Sequence, residues 1–194
     1  VIHESAPWKR HLQLDADVIE RWASRPQQSE RRSFLVERKV FLAAYAMRKL
    51  DDAVKISTDL LAADIAVVRF PPTAPGFTQF NNHKFDTHFD LGSPEAMGLP
   101  CRRLLNLLVH SLVFVEVLGQ AETYDAFMVT SDQDRAKGLI QVEIATFVRV
   151  MRLVAADFPS DAKYVRDGKG GGMRAWAGHG EPLPGATWLR RGGR

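Results

Sequence analysis

The stretch Cys101-Arg102-Arg103-Leu104-Leu105-Asn106-Leu107-Leu108-Val109-His110-Ser111 sets polar side chains into a run otherwise made of leucine and valine. A histidine changes charge near neutral pH and can move a proton to or from a hydroxyl or a leaving oxygen. An arginine holds phosphate oxygens with a planar cation and offsets charge that develops in a transition state. An asparagine between them can orient the imidazole or donate to a phosphate. Each residue of a helix advances the azimuth by about 100°. Asn106 therefore neighbours His110 one turn on, and Arg103 nearly eclipses His110 two turns on. Arg103, Asn106 and His110 form the candidate catalytic stripe. Arg102 beside it and Arg48 on the preceding long helix are candidate substrate-binding cations.

This stretch is similar to the motif of the HEPN superfamily (higher eukaryotes and prokaryotes nucleotide-binding). That family carries an Arg, four to six intervening residues and a His on the third of four core helices, often with an Asn four residues before the His. Arg103 and His110 have six residues between them, and Asn106 takes the Asn place. Leu105 stands where the family more usually has an Arg. The resemblance implies RNA binding or metal-independent RNA cleavage, with two motif helices facing each other across a homodimer and no cofactor. The wider chain also resembles bacterial proteins of no assigned role, through its Val109-His110-Ser111 step, and that likeness brings no function with it.

Other readings of the same residues stay open. Polar groups buried alone cost about 1–3 kcal/mol each, and Arg103 and Asn106 can instead satisfy carbonyls and carboxylates of the middle segment, such as Asp86 or Asp90. The chain would then be a non-enzymatic scaffold or a regulatory homodimer. His83 and His88, with Asp86 and Asp90, resemble a metal-ligand cluster, but no fixed motif such as HExxH accompanies them, and no metal is assigned to the site. Cys101 lies beside Arg102 and Arg103, cations that can lower a thiol pKa.

The elements that position these groups follow from periodicity. Trp8 to Arg25 reads as a helix with Leu12, Leu14, Val18, Ile19 and Trp22 towards one side, ended by Pro26. Ser29 caps a long helix read to about Leu61. Its stripe Phe34, Phe41, Tyr45 and its stripe Val36, Val40, Ala44, Met47, Leu50, Val54 make an apolar face wide enough for two packing partners. Asp64 to Phe70 is a short β-branched strand, and the prolines and glycines between Pro71 and Gly98 mark a long irregular connection. A motif helix runs from Pro100 to about Leu112. Val113–Leu118 and Tyr124–Thr130 form an antiparallel hairpin, with Gly138–Val142 a possible third strand. A final helix covers about Glu143 to Asp157. The expected fold is thus α+β, with about four core helices and a hairpin or small three-stranded sheet between the last two.

Charge and composition bound the rest. The 194 residues carry a net charge of +3. Five of the basic residues (Lys169, Arg174, Arg190, Arg191, Arg194) face one acid, Glu181, beyond Asp167, which leaves residues 1–167 at −1. A body without positive excess speaks against gripping duplex DNA. The segment 168–194 is rich in Gly and Pro and reads as a flexible basic tail, with Trp176 and Trp188 as stacking or docking candidates. A domain of 1–167 precedes it. The lone cysteine gives no disulfide and points to a reducing, cytoplasmic setting. No apolar run suits a membrane span, and no signal peptide opens the chain.

Overall fold

The computed structural model describes residues 2–27, 29–73, 75–166, 173–180 and 189–190. Its elements are α1 (Ala6–Ala23), α2 (Glu30–Asp52), α3 (Thr58–Ala62), β1 (Asp64–Phe70), α4 (Phe85–His88), β2 (Glu95–Pro100), α5 (Cys101–Val109), β3 (Ser111–Leu118), β4 (Tyr124–Ser131), β5 (Leu139–Glu143), α6 (Ile144–Ala156), β6 (Asp161–Arg166), β7 (Met173–Gly178) and β8 (Leu189–Arg190). A single 3-10 turn, Asn82–Lys84, precedes α4. The class is α+β, built on a five-stranded sheet in the order β2-β1-β5-β4-β3 with every pair antiparallel.

Successive residues of a strand point to opposite faces, and the sheet obeys this closely. Ile65, Val67, Phe127, Val129, Ile140 and Val142 face one side, in a single core with the buried residues of α1, α2, α5 and α6. Phe70, Val113 and Leu139 face the other, where Phe77 and Phe89 of the middle segment cover them. The long connection is therefore a strap over the reverse face of the sheet, fastened by the Pro72–Phe89 bridge. Four phenyl rings tie helices to sheet: Phe41 of α2 meets Phe114 of β3 at 4.8 Å, Phe114 stacks on Phe127 at 5.2 Å, and Phe127 meets Phe147 of α6 edge-on at 5.7 Å.

The sheet is larger than the sequence suggests. Glu95–Pro100 contains no β-branched residue, yet its whole length pairs with β1, from Asp64↔Pro100 to Arg69↔Glu95. A Cβ at Gly98 would lie 2.9 Å from Asp64 Oδ2, so a larger residue there would have to displace the Asp64 side chain. The two helical segments beyond the expected four are α3 and α4, five and four residues long. Each is too short to show a period.

The long second helix breaks after Asp52. Val54 takes φ = 58°, and the Lys55 amide donates back to the Leu50 carbonyl at 2.9 Å. This is a left-handed helix stop of the kind usually made by glycine. α3 then starts a separate turn. The face packs against two helices, α1 and α5, as expected, through the buried Val36, Val40, Ala43, Ala44, Met47 and Leu50, whereas Phe34 and Tyr45 of the other stripe are at least half exposed. In α1 the buried positions are Lys9, Leu12, Ala16, Ile19 and Ala23, and Leu14 is exposed. α6 has the expected bounds and buried face.

Within the segment read as a tail, Met173–Gly178 pairs with Asp161–Arg166 and Leu189–Arg190 adds two further residues. Trp176 lies in β7 with Lys163 Nζ 5.6 Å from its ring centroid. Trp188, like 168–172, 181–187 and 191–194, lies outside the described residues. The β7 segment docks on α3 through the Ala177 amide, which donates to Thr58 Oγ1 at 3.0 Å. Just beyond it, His179 Nε2 lies 2.8 Å from Asp157 Oδ1. Among the described residues no helix is long and apolar enough to cross a membrane.

A β-branched residue in the left-handed region carries about 1–2 kcal/mol of strain that glycine does not. Val54→Gly is expected to raise stability by about 1 kcal/mol, read as a higher midpoint of urea unfolding with an unchanged slope. Phe127→Ala, at the centre of the ring series, is expected to lower stability by about 3–5 kcal/mol in the same assay.

Candidate functional site

α5 begins directly after β2, with the Cys101 amide donating to the Ala63 carbonyl at 3.0 Å. Cys101, Leu104, Leu105, Leu107 and Leu108 pack it into the core, a spacing that leaves positions 102, 103, 106 and 109 outward. The helix stops three residues earlier than expected. His110 is its C-cap, with φ −114° and ψ 27°, and Ser111 already belongs to β3. The β-branched and aromatic run Val113–Val117 takes the chain over to strand geometry.

The cations of the stripe are held from two sides. Arg102 forms a fork with Asp51 of α2, Nε to Oδ2 at 3.0 Å and an amino nitrogen to Oδ1 at 2.8 Å. Arg48 reaches the same carboxylate at 2.8 Å and Asp52 at 3.0 Å. The two candidate substrate-binding arginines thus converge on Asp51, at the edge of a cleft of about 320 Å³ that also takes in Val54 and Thr58. Two forked or paired guanidinium contacts on one mostly buried carboxylate are strong charge-assisted bonds, and they pin α5 to α2.

Arg103 turns to the other flank. It donates to Asp134 Oδ1 at 3.0 Å, not to Asp86 or Asp90. Asp134 also accepts from Lys137 Nζ at 2.6 Å and Ser131 Oγ at 3.2 Å. Partial burial pushes the Asp134 pKa up, but the Lys137 and Ser131 hydrogen bonds and the charges of Arg103 and Lys137 outweigh it, so the net shift is downward. Arg103, Leu107 and Asp134 line a cleft of about 520 Å³ whose far wall is Met97, Glu95 and Arg69.

Asn106 and His110 differ from the arginines. Both are exposed, and the His110 amide donates to the Asn106 carbonyl at 3.1 Å. Among the described residues neither side chain has a hydrogen-bond partner. The backbone thus brings the amide and the imidazole to one end of α5, while Arg102 and Arg103 are drawn to opposite flanks by their carboxylates. Chemically the arrangement offers an imidazole open to a ligand and an amide one turn away, with the two guanidiniums held on the flanks by Asp51 and Asp134.

Cys101 corrects an expectation. Its thiol is buried and its pKa is raised to about 11 by desolvation and then by the Asp51 charge, with Arg102 acting weakly the other way. The neighbouring arginines are spent on Asp51 and Asp134 and do not activate it. In the strap, His88 Nε2 lies 3.1 Å from Asn81 Nδ2 and its ring tilts against Phe77 at 5.1 Å, while His83 and Asp86 are exposed. Among the described residues no group of three His, Cys, Asp or Glu is placed to hold a metal ion. Asp51 and Asp134 are the partners that sequence reasoning missed. They lie 51 and 31 residues from the arginines they bind, too far apart for local spacing to pair them.

No protein family, no curated protein and no solved structure matches the chain.

The burial of Cys101 predicts that Ellman's reagent leaves the native protein unlabelled at pH 8 and labels it stoichiometrically in urea. For Asp134, a folded pKa below the unfolded one means stability that is present above the ordinary aspartate range and lost as pH falls through the folded value. Its side-chain carbon in NMR is expected to titrate below the ordinary aspartate midpoint, and Lys137→Ala is expected to move that midpoint upward.

Proposed function

We propose that the outer end of α5 is an RNA-binding surface at which His110 moves a proton in metal-independent cleavage of the RNA backbone. The observation that carries this reading is the exposed His110 imidazole, which has Asn106 one turn before it and no partner among the described residues. An unpaired imidazole on a surface otherwise furnished with ion pairs is available to a substrate. In the reaction, a ribose 2′ hydroxyl forms a bond to the adjacent phosphorus and the bond to the 5′ oxygen breaks. His110 accepts the 2′ proton and returns it to the departing 5′ oxygen, leaving a 2′,3′-cyclic phosphate and a free 5′ hydroxyl. Asn106 donates to a phosphate oxygen. Arg102, Arg103 and Arg48 stay partly exposed beyond their ion pairs, and their free N–H groups carry the electrostatic part of binding. The HEPN-like spacing of Arg103, Asn106 and His110 supports the same reading. A second copy of the chain is the expected partner, and the exposed Phe34, Leu42 and Tyr45 along α2 supply apolar surface for a homodimer. The setting expected for this activity is the bacterial cytoplasm.

A second reading has its own observation. Asp51 and Asp134 already neutralise Arg102 and Arg103, which is what a purely structural stripe in a scaffold or regulatory homodimer would show.

Incubation with mixed single-stranded RNA in EDTA separates the two. Cleavage is expected in the wild type, with His110→Ala lowering the rate by about 10²–10⁴-fold, the usual worth of a general acid or base. Arg103→Ala is expected to weaken RNA binding and flatten its salt dependence. Binding without cleavage at any pH would remove the catalytic half of the reading, and absence of both would leave the scaffold.

A further inference from the structure

Between the N-terminal half of α2 and strand β3 lies a cleft of about 390 Å³ that shares no residue with the α5 stripe. Three of the residues lining it are acids, Glu30 and Glu37 from α2 and Glu116 from β3, and none of the lining residues is basic. Among the described residues none of the three acids takes part in an ion pair. On the neighbouring α1, by contrast, Asp15 has Lys39, and Asp17 and Glu20 share Arg152. Leaving like charges together without a counter-charge is unfavourable. Glu37 shows the cost, since partial desolvation and then the Glu116 charge raise its pKa.

A second feature is independent of the acids. Tyr124 lines the same cleft and is 2% exposed, and its hydroxyl is buried with no hydrogen-bond partner. Burial raises its pKa first, and the charges of Glu116 and Glu37 raise it further, which places the hydroxyl within the field of the two carboxylates. An orphaned buried hydroxyl is destabilising, and the chain bears that cost only at this tyrosine among its described tyrosines. The walls are aromatic and apolar: Phe34 at the rim, and Phe114 and Val115 from β3.

We propose that this cleft binds a small organic ammonium ion with an apolar stem. A primary ammonium has three N–H donors and no acceptor. Glu37, Glu116 and the Tyr124 hydroxyl oxygen are three acceptors in one cleft. The alkyl stem rests on the ring of Phe114, and the ring of Phe34 adds cation–π attraction at the mouth. A metal ion fits less well, because no three acidic or histidine ligands among the described residues converge closely enough to coordinate one. The volume falls in the range of small-molecule sites.

The test uses the whole chain and n-butylammonium chloride, with n-butanol and sodium chloride as neutral and ionic controls, followed by backbone amide NMR. Saturable shifts centred on Ser33, Glu37 and Glu116 are expected with butylammonium, and none with either control. Glu37→Gln and Glu116→Gln are each expected to weaken binding at least 10-fold. Tyr124→Phe is expected to weaken it several-fold while leaving the unfolding midpoint the same or higher, since it removes only an unpaired hydroxyl. Absence of saturable butylammonium shifts, equal shifts with n-butanol, or binding unchanged in Glu37→Gln would overturn the proposal.

Discussion

Four phenyl rings hold this molecule in register. Phe41, Phe114, Phe127 and Phe147 run from α2 across β3 and β4 to α6, each within 6 Å of the next. Each such contact contributes about 0.5–1.5 kcal/mol beyond the area it buries. Their greater effect is positional. Phe114 sits four residues after His110 and two before Glu116, so the rings that fix β3 against α2 also fix the end of α5 and the acidic cleft. Both candidate sites inherit their geometry from the same apolar spine.

The large periodic elements were legible in the sequence. The burial of α6 at Phe147, Val148, Met151 and Val154 follows from helical spacing, and the β3–β4 hairpin follows from alternating β-branched and aromatic residues. What was hidden depends on non-local pairing. Nothing in Glu-Ala-Met-Gly-Leu-Pro announces a strand, because its strand character comes from β1 alongside it. The stop at Val54 was hidden for a different reason: the left-handed position is ordinarily read from glycine, and here the hydrogen bond to Leu50 enforces it on a valine.

The candidate site was legible only in part. Helical arithmetic placed Asn106 and His110 together at the end of α5, and it placed Arg103 on the same stripe. It could not place the carboxylates that divide the arginines, because Asp51 and Asp134 arrive through the fold and not through the local sequence. Counting charges along residues 1–167 gave near neutrality without showing where it is cancelled. In the structure the cancellation is local at α5 and incomplete in the α2–β3 cleft, where three acids meet no base.

The order β2-β1-β5-β4-β3 leaves two open strand edges. A bare edge is a template for a foreign strand. β3 is irregular at both ends, with register breaks between Ser111 and Val113 and between Val117 and Leu118, and it carries exposed Glu116 between them. β2 starts at exposed Glu95 and closes on Pro100, which has no amide hydrogen to offer. Each margin is thus interrupted, β3 by its register breaks and Glu116 and β2 by Glu95 and Pro100, which works against recruiting another copy by backbone zipping. Self-association through sheet extension, and the fibrous aggregation that follows from it, is discouraged by the architecture itself.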